Sequence, residues 1–290
     1  MNCRSAVTHG LFGACMAVGA LPLGGCTLAE PLQTPAAPNP ARTASDMLER
    51  TMPTPLLLLG EQHDAPDHQR LQRELVRQLA SRGELGAVVL EMAPRGRSTS
   101  GLAPDATEDQ AKEALDWNQA NGGWPWPVYG PVVMTAVRAG VPVFGGNLPR
   151  AEMAAAMNHT ALDQLLDRDA LLEQQANIRK GHCDLLPEAQ IAPMTRIQIA
   201  RDQSMALTAT SALKRGQTVL LVAGNEHVRR DLGVPRFLPA RQAFRVVQSR
   251  AQPNTLEDPV ATTSQADLLW TSPPQPPRDH CAEMKRQMAR

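Results

Sequence analysis

Four short, almost wholly apolar runs constrain this chain most: Leu56-Leu57-Leu58-Leu59, Ala87-Val88-Val89-Leu90, Val141-Pro142-Val143-Phe144 and Val219-Leu220-Leu221-Val222, each bounded by glycine or charge. Runs of that length suit strands covered on both faces, as in a parallel sheet. A fifth candidate, Phe244 to Gln248, is weaker. After the first run, Pro66 and Asp67 open a helix whose Leu71, Leu75 and Leu79 recur at helical spacing, and Pro131 opens another that runs to Arg138. Strand, helix, strand is the rhythm of an α/β fold with an open, mostly parallel sheet flanked by helices. The interval from Pro149 to Lys214 carries only helical pattern, with Met194, Ile197, Arg201, Met205 and Thr208 near one face. That is too much helix for one crossover, so a smaller all-helical subdomain is expected within it. The expected organisation is a signal peptide at 1–25, a tether at 26–45, an α/β domain at 46–147 and 201–270, a helical subdomain at 148–200 and a Pro-rich tail at 271–290.

Polar clusters follow the strands. The first run leads into Gly60-Glu61-Gln62-His63-Asp64, the second into Glu91, the third into Gly145-Gly146-Asn147 and the fourth into Gly224-Asn225-Glu226-His227. Ligands of open parallel sheets bind outside the carboxyl ends of the strands, so these clusters are expected to converge on one edge. Two imidazoles and two or three carboxylates there are the inventory of a divalent-metal site or of a general acid/base site. Arg95, Arg97, Arg150, Arg229 and Arg230 follow the same ends and could balance carboxylates or phosphates. Asp64 fits a helix cap as well as it fits a site. His68 shares the face of Leu71, Leu75 and Leu79 and reads as a buried histidine.

The flanks lie outside this pattern. Arg4 precedes an uncharged run from Leu11 to Leu23 that is too short to stay as a membrane-spanning helix and has the length of a signal-peptide core. Its ending, Leu23-Gly24-Gly25-Cys26, resembles the lipobox of bacterial lipoproteins, which implies cleavage before Cys26 and lipid on its sulfur. An ordinary signal peptide with an incidental cysteine is the alternative. Thr27 in place of aspartate implies outer-membrane lipid as the anchor's partner. Residues 27 to 45, with Pro31, Pro35, Pro38 and Pro40, read as an extended tether. With Cys3 and Cys15 in the signal and Cys26 lipidated, Cys183 and Cys281 remain; in an oxidising compartment they are expected to form a disulfide, the alternative being two separate thiols.

Charge narrows the partners. Lys+Arg and Asp+Glu tie at 29 each, so no net field draws the chain to nucleic acid, and none is expected as a partner. Aromatics make up 3% of the chain, yet Trp117, Trp124, Trp126 and Tyr129 fall in one Gly- and Pro-punctuated stretch that reads as a loop. The indoles either wall an apolar slot or clamp the loop to the body. Tyr129 is the only tyrosine, and a phenolate is a recognised haem-iron ligand.

These residues reach a family. Leu59-Gly60-Glu61-Gln62-His63-Asp64, Leu90-Glu91-Met92, Trp124-Pro125-Trp126-Pro127-Val128-Tyr129, Asn147-Leu148-Pro149-Arg150, Gly181-His182-Cys183, Arg201-Asp202-Gln203-Ser204-Met205-Ala206, Gly224-Asn225-Glu226-His227-Val228 and Gly233-Val234-Pro235 together resemble the ChaN-like haem-binding lipoproteins of the wider TIKI and erythromycin-esterase superfamily. The resemblance runs from about residue 55 to about 240. It implies haem held at a homodimer interface with tyrosine on the iron, for iron acquisition at the outer membrane, with a haem receptor as a further partner. Tyr129, or else His182, would then be the iron ligand, with Arg150, Trp124 and Trp126 as haem-binding residues. In the wider superfamily the positions of Glu61, His63, Glu91 and His227 go with metal-dependent hydrolysis. A hydrolase holding a divalent ion on those four is therefore the alternative reading.

Overall fold

The structure, a computed structural model, describes residues 39–117, 123–252 and 265–288. The expected signal peptide, Cys26 and most of the expected tether lie outside the described residues. Among the described residues no helix is long and apolar enough to cross a membrane.

Six strands, β1 (Leu56–Glu61), β2 (Leu85–Pro94), β3 (Val143–Asn147), β4 (Thr218–Gly224), β5 (Arg245–Ala251) and β6 (Leu268–Ser272), form one sheet in the order β3-β2-β4-β1-β5-β6. Every neighbouring pair is parallel. The fold is α/β with an open sheet, as the apolar runs require. Because successive strand residues face opposite sides, Leu57 and Leu59 enter one core and Leu56 and Leu58 the other. The first core is covered by α1 (Pro40–Thr51), α2 (Pro66–Ser81) and α4 (Trp126–Arg138). The short α3 (Glu108–Ala114) begins on a capping box between Thr107 and Gln110.

Between β3 and β4 come α5 (Arg150–Asn158), a 3-10 turn (Thr160–Gln164), α6 (Arg168–Gly181) and α7 (Glu188–Ser211). The C-terminal half of α7 lays Met205, Ala206 and Ala209 on the second core, against Leu58, Val89 and Leu221. Its N-terminal half places Ile197, Ile199 and Ala200 in a separate cluster with Leu148, Ala156, Leu162 and Leu166. One helix thus serves as the sheet's crossover and as the spine of the helical region.

Four local expectations need correction. The tether reading ran to residue 45, but Asn39 caps Ala41 N–H at 3.0 Å and starts α1 at Pro40, which buries Ala44, Met47 and Leu48; proline at the first helical position favours this start. The stretch from Trp124 to Tyr129 is not all loop: α4 begins at Trp126 with Pro127 in its first turn, and Pro131 lies inside the helix instead of opening it. The N-cap of α2 is Ala65, without a side-chain bond, and Asp64 instead pairs with His280 at 3.0 Å. β6 had no signal in the sequence reading; it is an edge strand that pairs with β5 from Val247↔Leu268 to Ala251↔Ser272. Beyond β6 the tail forms α9 (His280–Met288), and Cys281 forms a disulfide with Cys183, just past α6, with Cα atoms 5.5 Å apart.

Candidate functional site

The carboxyl ends of β1, β2 and β4 deliver Glu61, Glu91 and Gly224 side by side, with β1 and β4 in register at Glu61↔Gly224. Glu61 is buried and each of its oxygens accepts two donors: Oε1 from the Tyr129 hydroxyl at 2.5 Å and from His63 Nδ1 at 2.7 Å, Oε2 from the side-chain amides of Gln69, at 2.7 Å, and Gln72. Gln69 and Gln72 sit three apart on α2, which places both on the face that packs over β1. Buried carboxylates persist when so satisfied.

His63 follows Glu61 by two residues, and its side chain is 38% exposed. Its ring stands edge-on to Trp124, centroids 4.6 Å apart, and its Nε2 lies 3.9 Å from Glu91 Oε2. Burial disfavours the charged ring, but the Glu61 hydrogen bond and the charges of Glu91 and Glu61 outweigh it, so the His63 pKa is raised.

A second imidazole closes the other flank. His227, in the single turn α8 (Asn225–Val228) after β4, is buried; its Nδ1 meets Asp202 at 2.5 Å and its Nε2 lies 3.4 Å from Glu91 Oε1. Gln198, one turn before Asp202 on α7, reaches the same ring at 3.2 Å. Desolvation opposes the imidazolium, yet two carboxylates overcome it and hold the pKa at about 10. Glu91 also accepts the Gly224 N–H at 2.7 Å; burial works against its charge, but His227 and that bond keep its pKa well below the usual range. Asp202 moves the opposite way, to about 6, because desolvation dominates there.

Beside this cluster opens a cleft of about 750 Å³, within the usual range for cofactor sites. Met92, Trp117, Trp124, Leu148, Pro149 and Met153 supply apolar wall, and Arg95, Arg97, Arg150 and Arg201 supply charge. Arg201 Nε is buried without a hydrogen-bond partner among the described residues. Arg95 pairs with Glu152 at 2.6 Å.

The structure thus brings Glu61, His63, Glu91 and His227 into one chain of contacts and sets Trp124 and Arg150 in the adjoining wall. Trp126 faces elsewhere: its indole N–H donates to Glu108 at 2.8 Å and its ring abuts Trp117. His182 caps α6, bonded through Nδ1 to the Ile178 carbonyl at 2.8 Å, and does not line the cleft. Tyr129 is 1% exposed and does not line it either; burial and the Glu61 charge raise its pKa, so the phenol keeps its proton. Arg229 is buried among Glu173, Glu226 and Asp231, and Arg230 pairs with Asp267, so neither serves the cleft. His68 is the buried histidine its position foretold, taking the Gln62 N–H on Nδ1 at 3.0 Å and meeting Ser272 Oγ with Nε2 at 3.2 Å.

The divalent-ion site expected on Glu61, His63, Glu91 and His227 is not supported. Among the described residues no three His, Cys, Asp or Glu side chains are arranged to hold a metal ion. The reason is donor saturation: both Glu61 oxygens, one Glu91 oxygen and His227 Nδ1 are already committed to protein partners. Sequence reasoning gave no role to Gln69, Gln72 or Gln198, and named Asp202 only within a family motif. Their signal was present as polar residues spaced three or four apart on otherwise buried helix faces.

The fold has solved counterparts. ChaN of Campylobacter jejuni, in a structure described as cofacial haem binding, superposes with a TM-score of 0.56 at 21% identity, over 78% of this chain and 89% of that one. A type III effector (TM-score 0.45, 12% identity, 82% and 96% covered) and an erythromycin esterase in its open conformation (0.38, 14%, 75% and 76%) are more distant. No curated protein matches the sequence. The family of haem-binding uptake proteins of the Tiki superfamily, ChaN, matches residues 47–238, and with that span covering most of the sheet, both imidazoles and the whole cleft wall, the chain belongs to this family.

Proposed function

We propose that this chain is an outer-membrane lipoprotein, anchored through Cys26, that holds haem in the cleft beside Glu91 and Trp124 for iron acquisition. The observation that carries the reading is the wall's composition. A flat apolar macrocycle with two carboxylate arms needs a slot of thioether, indole and aliphatic surface rimmed by guanidinium groups, and this cleft joins Met92, Trp117, Trp124, Leu148 and Met153 to Arg95, Arg97, Arg150 and Arg201. Arg201 lines the cleft, and its buried Nε has no hydrogen-bond partner among the described residues, an orphaned donor of the kind that costs about 1–3 kcal/mol. When bound, haem supplies the iron and both carboxylate arms; the chain's own residues orient it, exclude water from one face and neutralise its charge. No step through a divalent ion is derived, because the donor set does not fit one.

A homodimer is part of the proposal. The cleft suits one haem, and the Campylobacter jejuni relative is described as binding haem cofacially, so a second copy would bring the second macrocycle. A haem receptor would then be the membrane partner that exchanges cargo with the lipid-anchored protein. Hemin titrated into the protein should quench tryptophan fluorescence to an end point of one haem per chain and shift the mass in solution to that of a dimer. Absence of saturable quenching refutes the reading. Cys26→Ser should move the protein from membranes to the soluble fraction; unchanged detergent partitioning refutes the anchor.

A further inference from the structure

The tail beyond β6 supplies no residue to the cleft wall, and the family's span ends at residue 238, well before it. Three ties set its path. Ser272, the last residue of β6, meets the His68 ring of α2 at 3.2 Å; His280 pairs with Asp64, in the turn after β1, at 3.0 Å; and Cys281 is bonded to Cys183, just past α6. α6 in turn reaches the end of β4, through Asn177 to Glu226 at 3.2 Å and Glu173 to Arg229 at 2.9 Å. With the sheet ordered β4-β1-β5-β6, the tail therefore runs from the edge strand past the carboxyl ends of β5 and β1 to the helical region. Pro273, Pro274, Pro276 and Pro277 stiffen that crossing, because each fixes its backbone in an extended form.

The two far ties grip different groups of cleft residues. On the sheet side, Asp64 follows His63, whose ring stands edge-on to Trp124 at 4.6 Å between centroids, and Trp124 lines the cleft. On the helical side, Ala170 and Leu171 of α6 pack in the same cluster as Leu148 and Met153, which also line it. Cys281 is exposed, so a thiolate can approach the bond that joins them. We propose that the tail is a redox-released strap: the Cys183–Cys281 bond ties the Trp124 part of the wall to the α5 part, and a dithiol that reduces it loosens the cleft and speeds release of its cargo. One thiolate of the dithiol attacks a sulfur to give a mixed disulfide, and the second displaces the protein sulfur. Two electrons and two protons pass to Cys183 and Cys281, which become thiols, while the dithiol becomes a disulfide. That the cargo is haem rests on the reading above; the strap itself does not.

Hydrogen–deuterium exchange of the full chain without ligand, compared between the oxidised protein and protein reduced with dithiothreitol, both alkylated, tests the strap. Reduction should speed exchange in residues 273–281, in the turn 62–65 and at 148–153, with β1, β2 and β4 protected as before. A Cys183→Ser, Cys281→Ser double variant should show the reduced pattern without dithiothreitol; reduced, alkylated wild type replaces it if it does not fold. Loaded with hemin, the reduced form should pass it to excess apomyoglobin severalfold faster than the oxidised form. Faster exchange confined to the tail, protection lost across the whole sheet, or equal hemin release from both forms overturns the strap while leaving haem binding intact. A protein that binds no hemin overturns the haem reading, and the exchange pattern then decides the strap alone.

Discussion

Replacing Tyr129 by phenylalanine removes one of the four donors that hold the buried Glu61 carboxylate. The ring is 1% exposed, and its contacts with Trp117 and Trp124, at 6.2 and 5.7 Å between centroids, survive the change. What is lost is a hydrogen bond of 2.5 Å to a buried carboxylate. Hydrogen bonds to charged groups contribute about 1.5–3 kcal/mol. Glu61 keeps His63, Gln69 and Gln72 as donors, and the variant no longer has to bury a hydroxyl, so the lower half of that range applies, about 2 kcal/mol. For a domain of this size 1 kcal/mol corresponds to roughly 2–4 °C, so the melting temperature should fall by about 4–8 °C. Circular dichroism melts of both proteins at pH 8 measure it. A melting temperature within about 1 °C of wild type would mean that the phenol is not tied to Glu61.

Three further outcomes follow from other contacts. Burial holds the His68 pKa down to about 4 from an ordinary 6.5, so the folded state binds fewer protons than the unfolded chain between those values; the stability is complete above pH 6.5 and lost as pH falls toward 4, by about 3 kcal/mol. Urea unfolding across that window should show a shallower pH slope in His68→Gln, and identical slopes would refute the assignment. Asp202→Asn leaves His227 with Glu91 as its one carboxylate partner, which should cost about 3–5 kcal/mol and lower the His227 titration from about 10; an unchanged imidazole titration by NMR would sink this. Cys281→Ser opens a loop whose closure, at a separation of 98 residues, contributes at most about 4–5 kcal/mol on the chain-entropy model. Another tie of the tail is the exposed His280–Asp64 contact, so limited proteolysis of the variant should cut near residues 273–280 with the sheet intact, and resistance equal to wild type would show that the disulfide is not needed there.

Several features of the protein were legible without coordinates. Short apolar runs on both sides of glycine or charge specify strands buried on two faces, because no other element buries every residue of so short a segment, and the parallel sheet with polar groups at its carboxyl edge follows from that. His68 could be placed in the core because helical period reports which face is inside, and the two cysteines could be paired by counting. Tertiary structure decided the rest. β6 is a short edge strand whose pairing with β5 lies across a long stretch of chain, and α1 takes residues from what reads locally as extended because only the α2 surface beneath it rewards Ala44, Met47 and Leu48. Periodicity shows that Gln69, Gln72 and Asp202 are buried but not what they meet; that depends on α2 crossing the end of β1 and α7 crossing the end of β4, contacts made between residues far apart in sequence. The same holds for the site itself. Glu61 accepts from the Tyr129 hydroxyl and from His63 Nδ1, and the first of those bonds joins residues 68 apart in sequence, which no local pattern could announce.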